Sequence, residues 1–325
     1  MGQVLLYYTI VNYCVRKGEA IMDENKIIPL VNMGTGYVYH MLSCAKCGYD
    51  NAYGKQFALL HSEDSLKILN NHEKLITVKG GEHFGQLYWL LVCLPASLDS
   101  QVDKYYKTIY SLFSSNNAND DGIVYFTANG FQSMRDVYSK WEEYANEIVS
   151  ISKVMMEDYQ IYVDNVWNEV QPKLSTYAEQ VKKAFEENKV SVKFNEIMKF
   201  TPKEAFYPIF CNSLDGGAEA IDVSINRHVF GIGRSVEHAV QFISHEYVIY
   251  LLKHTLVDIP VLNNPMKYWL HTESLAAYYQ RKAFSGEHIF LTQERSEIVD
   301  FYESTNKDNN LSAKELLLAA ITKYN

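Results

Sequence analysis

The stretch Ser235–His254, SVEHAVQFISHEYVIYLLKH, constrains this chain more than any other. Val236, Ala239, Val240, Phe242, Ile243, Val248, Ile249, Leu251 and Leu252 leave only a narrow polar strip, so their spacing predicts a helix buried on most of its sides. Ser235 is a good N-cap, and Glu237 puts a carboxylate near the positive end of the helix dipole. In the middle of this apolar helix stand His245 and Glu246. Burying such a pair is costly unless a metal, a hydrogen-bond network or a protonation change satisfies it.

The rest of the chain supplies enough core to bury such a helix. Its 325 residues suggest about two domains, and 47% apolar against 21% charged residues without a low-complexity tract reads as globular and ordered. The balance of 30 basic and 39 acidic residues, with no dense basic run, predicts no nucleic-acid partner. No run reaches the ~18 apolar residues of a membrane helix, which predicts no membrane partner. Val4–Val15 lacks the basic region and cleavage site of a signal peptide, so it reads as a first strand and the expected location is cytoplasmic. An odd count of five cysteines then implies reduced thiols. Cys44-Ala45-Lys46-Cys47-Gly48 has the shape of half a zinc knuckle, but a second CxxC is missing; Cys14, Cys93 and Cys211 could converge on it in space, though nothing in their spacing demands it. The 25 tyrosines read as half-buried packing residues with wet hydroxyls.

Taken in order, the chain reads as α+β. Residues 1–128 form a mixed, strand-rich platform, with strands expected at Val4–Val15, Tyr37–Leu42, Leu75–Val78 and Tyr88–Leu94 and helices at Ser62–Asn71 and Asp99–Leu112. Asn116–Gly122 reads as an exposed connection. Residues 129–325 read as a mostly helical domain. Ser133–Asn188 has helical spacing, divided at Pro172; Ser213–Gly217 looks like a hairpin turn, and Ala220–Asn226 and Arg227–Gly231 read as strands. Gly231-Ile232-Gly233 lacks the third glycine of a dinucleotide loop and the lysine of a P-loop, so it reads as a tight strand-to-helix connection. A loop at Asp258–Pro265, a break at Ser285–Glu287 and helices at Gln293–Tyr302 and Ser312–Tyr324 follow, the last opened by a Ser312/Glu315 capping box.

The segment Phe242-Ile243-Ser244-His245-Glu246-Tyr247-Val248-Ile249 resembles the HExxH helix of zinc metallopeptidases, in which two histidines four residues apart bind zinc and the glutamate activates the bound water. Trp269–Tyr279 is similar to the second helix of the gluzincin branch, whose glutamate is the third zinc ligand; Glu273 stands at that position, 28 residues after His245. The resemblance covers roughly residues 206–284 and implies a zincin-like fold for the C-terminal part, with His245 and Glu273 as metal ligands and Glu246 as the catalytic base. Ile249 occupies the place of the second histidine, and Ala277 that of a frequent acidic residue one turn after the glutamate. Two ligands hold zinc weakly or not at all.

The expected function is therefore that of a metallopeptidase-like protein with an incomplete zinc site, a pseudo-peptidase binding a peptide or protein. Two alternatives stand beside it. One is a metal-free scaffold whose Ser133–Asn188 helices present the binding surface. The other is an active zinc hydrolase completed by an unrecognised ligand such as His271, His288 or Cys211.

Overall fold

The computed structural model describes residues 26–77, 85–115, 119–214, 220–233, 235–256, 265–284, 293–308 and 310–324. The expectations for Val4–Val15 and the Ser285–Glu287 break, for residues 258–264 of the Asp258–Pro265 loop, and for most of the Ser213–Gly217 turn, lie outside them. The described chain is mostly helical with one small mixed sheet, and its strands are mid-chain rather than gathered in an N-terminal part. It divides into two compact units, one built on Leu30–Thr176 and Ile209–Gly233, the other on residues 26–29, Tyr177–Pro208 and residues 235–324.

In the first unit, β1 (Leu30–Val31) leads into α1 (Met33–Cys44), which the sequence reading took for a strand over Tyr37–Leu42. Asn32 caps α1 by accepting from the Thr35 N–H at 2.8 Å, and Tyr37, Val38, Tyr39 and Met41 are fully buried. A helix enclosed on every side has no polar stripe to reveal a 3.6-residue period, and its Tyr and Val content imitates a strand. Of the strand expected at Leu75–Val78, Leu75 and Ile76 belong to a helical turn at Glu73–Ile76, and that expected at Tyr88–Leu94 is a buried π-helical turn at Trp89–Cys93.

That π turn explains two of the tyrosines. Its Leu90 and Leu91 carbonyls accept from the hydroxyls of Tyr105, at 2.6 Å, and Tyr106, at 2.8 Å. Both tyrosines lie on α5 (Val102–Ser115), which follows α2 (Ala52–Phe57), α3 (Glu63–Asn71) and α4 (Glu73–Ile76) in the chain. These hydroxyls are therefore dry and bonded to backbone, not wet. Beyond α5 come α6 (Met134–Trp141) and α7 (Ala145–Glu157), and α7 packs along α5.

Pro172 does not divide the next helix, α8 (Asn168–Glu187), which contains it. A π-helical turn at Val163–Trp167 immediately precedes this helix, so the missing proline N–H falls where the backbone ladder is already shifted. The sheet has the order β1-β2-β4-β3, with β2 (Tyr207–Cys211) parallel to β1 and β3 (Ala220–Ser224) antiparallel to β4 (Arg227–Gly231). The β3/β4 hairpin stands where the sequence reading puts it.

The second unit is a helical assembly around α11 (Pro265–Phe284). It packs against α9 (Val190–Met198), α10 (Val236–Thr255), α12 (Gln293–Thr305) and α13 (Ala313–Tyr324). Ala276 and Ala277 are fully buried on α11, and such small residues let neighbouring helices approach closely. Ser235 caps α10 by accepting from the His238 N–H at 3.2 Å. Ser312 and Glu315 form the expected reciprocal cap at α13.

Gly54 marks a close approach of α2 to the end of α1. A Cβ at this position would lie 2.1 Å from the Ser43 carbonyl oxygen, which is backbone and cannot rotate away. Gly54→Ala is expected to destabilise the chain by about 1–3 kcal/mol, the usual cost of overpacking. Urea unfolding measures it, and a variant as stable as the parent would contradict the packing described.

Candidate functional site

In the second unit, α10 and α11 bring together two of the residues singled out in the sequence. His245 Nε2 lies 3.0 Å from Glu273 Oε2, with side-chain exposures of 2% and 17%. Arg295 of α12 places Nη1 3.6 Å from the same oxygen, and its guanidinium lies over the Trp269 ring. The imidazole N–H donates to a carboxylate that also faces a fixed positive charge, so the buried histidine is satisfied without a cation. Glu246, one position along, projects about 100° around the helix from His245 and is half-buried. Ile249 is buried one turn after His245 and offers no donor atom.

The residues considered as a replacement ligand do not gather at this pair. His271 packs its ring near Tyr324, two positions before Glu273 and hence on the other side of α11. Cys211 belongs to the first unit, where its thiol lies 3.0 Å from the Ser213 hydroxyl. His288 lies outside the described residues.

The first unit contains a second cluster, in which the sequence reading singled out only Cys44. His40 and Cys44 stand four residues apart on α1, so their side chains share a helix face, and His61 arrives from the segment just before α3. His40 Nε2 is 2.8 Å from His61 Nε2 and 3.7 Å from Cys44 Sγ. The three ligand atoms lie within 4.8 Å of one another, all three residues are buried, and the group can hold a metal ion. Cys47, the other half of the expected knuckle, is not in it; its thiol turns to the Ala45 carbonyl.

Each imidazole in this cluster is held from behind. His61 Nδ1 lies 2.7 Å from Asp158 Oδ1, and His40 Nδ1 lies 2.7 Å from the Tyr53 hydroxyl. Since a carboxylate only accepts, His61 carries its proton on Nδ1 and presents a lone pair at Nε2. His40 then donates through Nε2 and accepts at Nδ1 from the Tyr53 hydroxyl. The result is an ordered relay, Tyr53 to His40 to His61 to Asp158, with Cys44 at its side.

Burial, and secondarily His61, lowers the His40 pKa from its ordinary value to about 3. Burial, and secondarily the Asp158 carboxylate, raises that of the Cys44 thiol to about 12. Both groups are therefore neutral at physiological pH, and the thiol gives up its proton only to something that replaces the charge. A metal ion does so, because a coordinating thiol is deprotonated outright.

A signal for the cluster exists in the sequence, the spacing His40-x-x-x-Cys44, but it has meaning only on a helix. Reading Tyr37–Leu42 as a strand concealed it. His61 and Asp158 are separated by 97 positions, and no local pattern connects them.

Comparison with known proteins finds no family model, no curated protein and no solved structure that matches this chain. The likeness to gluzincins consequently rests on the residues of α10 and α11 and on nothing broader. Among the described residues, no helix is long and apolar enough to cross a membrane.

A pH dependence follows from His40. Its pKa is depressed in the folded state, so between about pH 6.5 and 3 the unfolded chain binds a proton that the folded chain excludes. Stability of the metal-stripped protein should fall by up to about 1.4 kcal/mol per pH unit across that window and should not change from this group above it. Urea unfolding at several pH values, with chelator present, reads the slope. His40→Gln should reduce it by up to one proton, and an unchanged slope in that variant would show that His40 is not the group responsible.

Proposed function

We propose that this chain is a catalytically silent metallopeptidase-like protein whose zinc site has been converted into a structural ion-pair cluster. The observation that carries the reading is the 3.0 Å contact between His245 Nε2 and Glu273 Oε2, with Arg295 3.6 Å from the same carboxylate oxygen. In the active architecture that the sequence resembles, a cation would stand between this imidazole and this carboxylate. Here the pair is in direct contact, and a guanidinium supplies the positive charge that the carboxylate needs.

The residues do not fit a zinc ion. Two donors remain where catalytic zinc sites supply three, Ile249 fills the third position with an aliphatic chain, and a nearby arginine opposes a second cation by like charge. Glu246 therefore has no metal-bound water to activate, and no hydrolytic step is assigned to it. The activity left to such a protein is binding, and its ligand class is peptide or protein. Among the described residues β3 is the last strand in the sheet order, and backbone groups at an outer strand edge are those with which extended peptides pair.

Two measurements test the reading together. Ile249→His combined with Arg295→Ala should bind one equivalent of zinc more than the unaltered chain, because it restores the missing donor and removes the competing charge. No added zinc in a folded double variant would argue against an inherited site. Hydrolysis of an unfolded protein substrate should be absent from the parent chain and from Glu246→Gln alike. Hydrolysis that the parent performs and Glu246→Gln loses would overturn the proposal.

A further inference from the structure

The relay in the first unit satisfies its own hydrogen bonds, yet its arrangement resembles a coordination sphere more closely than an ordinary buried histidine. Two imidazoles turn Nε2 toward Nε2, a thiol lies beside them, and each ring is fixed through Nδ1 by an oxygen of another residue. A histidine ligand typically has its second nitrogen held in this way, by a carboxylate above all, because the contact sets the tautomer and the ring orientation. We propose that His40, Cys44 and His61 form a buried binding site for a zinc-class divalent ion, with Asp158 and Tyr53 as the residues that position the two imidazoles.

The distances support this assignment. Tetrahedral zinc with bonds of about 2.0–2.1 Å to nitrogen and about 2.3 Å to sulfur sets neighbouring donors roughly 3.3–3.6 Å apart. The 3.7 Å between Cys44 Sγ and His40 Nε2 is close to that value, and the 2.8 Å between the two Nε2 atoms requires the rings to part by about half an ångström. His61 already has the tautomer that a ligand needs. His40 must move its proton from Nε2 to Nδ1, where Tyr53 Oη can accept it, and Cys44 must lose its thiol proton. The balance is one proton released to solvent for each ion bound.

Thiolate with imidazole suits a borderline ion such as zinc, whereas a hard cation such as magnesium or calcium prefers oxygen donors. Three protein donors leave the fourth tetrahedral position to a small ligand such as water. The site ties α1, the segment before α3 and, through Asp158, the segment after α7 to one point. Its expected role is structural. The inference is independent of the peptidase-like reading, since every residue in it belongs to the first unit.

Cobalt(II) is the probe, because zinc is spectroscopically silent and a cobalt–thiolate bond produces a charge-transfer band. The metal-stripped chain should bind one equivalent of cobalt with that band, and zinc should displace it. Cys44→Ser should abolish the band, and Asp158→Asn should weaken binding by about 10–100-fold, the usual effect of losing a group that holds a ligand in place. His245→Ala should leave the band unchanged, which separates this site from the pair in the second unit. Folding of each variant is checked by circular dichroism. Should Cys44→Ser fail to fold, the titration of the parent chain decides alone: no binding, or binding without a thiolate band, overturns the proposal. An unaltered band in folded Cys44→Ser overturns it as well.

Discussion

A buried imidazole must be answered by a group on another segment, and the structure depends on how this chain provides the answer. It does so in both units by placing a carboxylate from a distant position against a histidine. Asp158 faces His61 at 2.7 Å and Glu273 faces His245 at 3.0 Å. Neither histidine can be buried unless the segment bearing its partner has also docked. Each contact therefore couples the local choice of helix or loop to the packing of the whole unit.

The two pairs differ in what surrounds them. In the second unit the carboxylate is shared with Arg295, and the residue one turn after His245 is isoleucine, so the polar atoms close on themselves. In the first unit the far nitrogen of His61 meets a second imidazole, and with a nearby thiol they bring three ligand atoms within 4.8 Å of one another. The resemblance to metallopeptidases directs attention to the second unit, where an imidazole and a carboxylate are in direct contact. The residues better suited to a metal are those of the other unit, on a helix that the sequence pattern does not reveal.

What could be read from the sequence depended on whether an element kept a polar face. The helix at Val236–Thr255, its Ser235 cap, the strand pair at Ala220–Ser224 and Arg227–Gly231, and the Ser312/Glu315 capping box all carry local signals, and each is found in its place. The helix at Met33–Cys44 carries none, because it is enclosed on all sides and its glycines sit where neighbouring atoms come too close for a side chain. The meeting of His245 with Glu273 is what the resemblance to gluzincins implies, not something a local pattern encodes. The meeting of His40 with His61 and Asp158 depends on tertiary packing alone, as does the arrival of Arg295 at Glu273. Tyrosines such as Tyr105 and Tyr106 were legible as packing residues but not as donors to a π-helical turn, because that turn leaves no mark in the sequence.

The first unit gathers the donors suited to a tightly bound ion, whereas in the second an imidazole is in direct contact with a carboxylate that also faces a guanidinium. X-ray absorption at the zinc edge, on the 325-residue chain loaded with a single equivalent, tests this most directly because it identifies the atoms bonded to the metal. The expected shell is one sulfur at about 2.3 Å together with imidazole nitrogens at about 2.0–2.1 Å. A shell of nitrogen and oxygen without sulfur would exclude Cys44 from the ion's ligands and contradict the assignment.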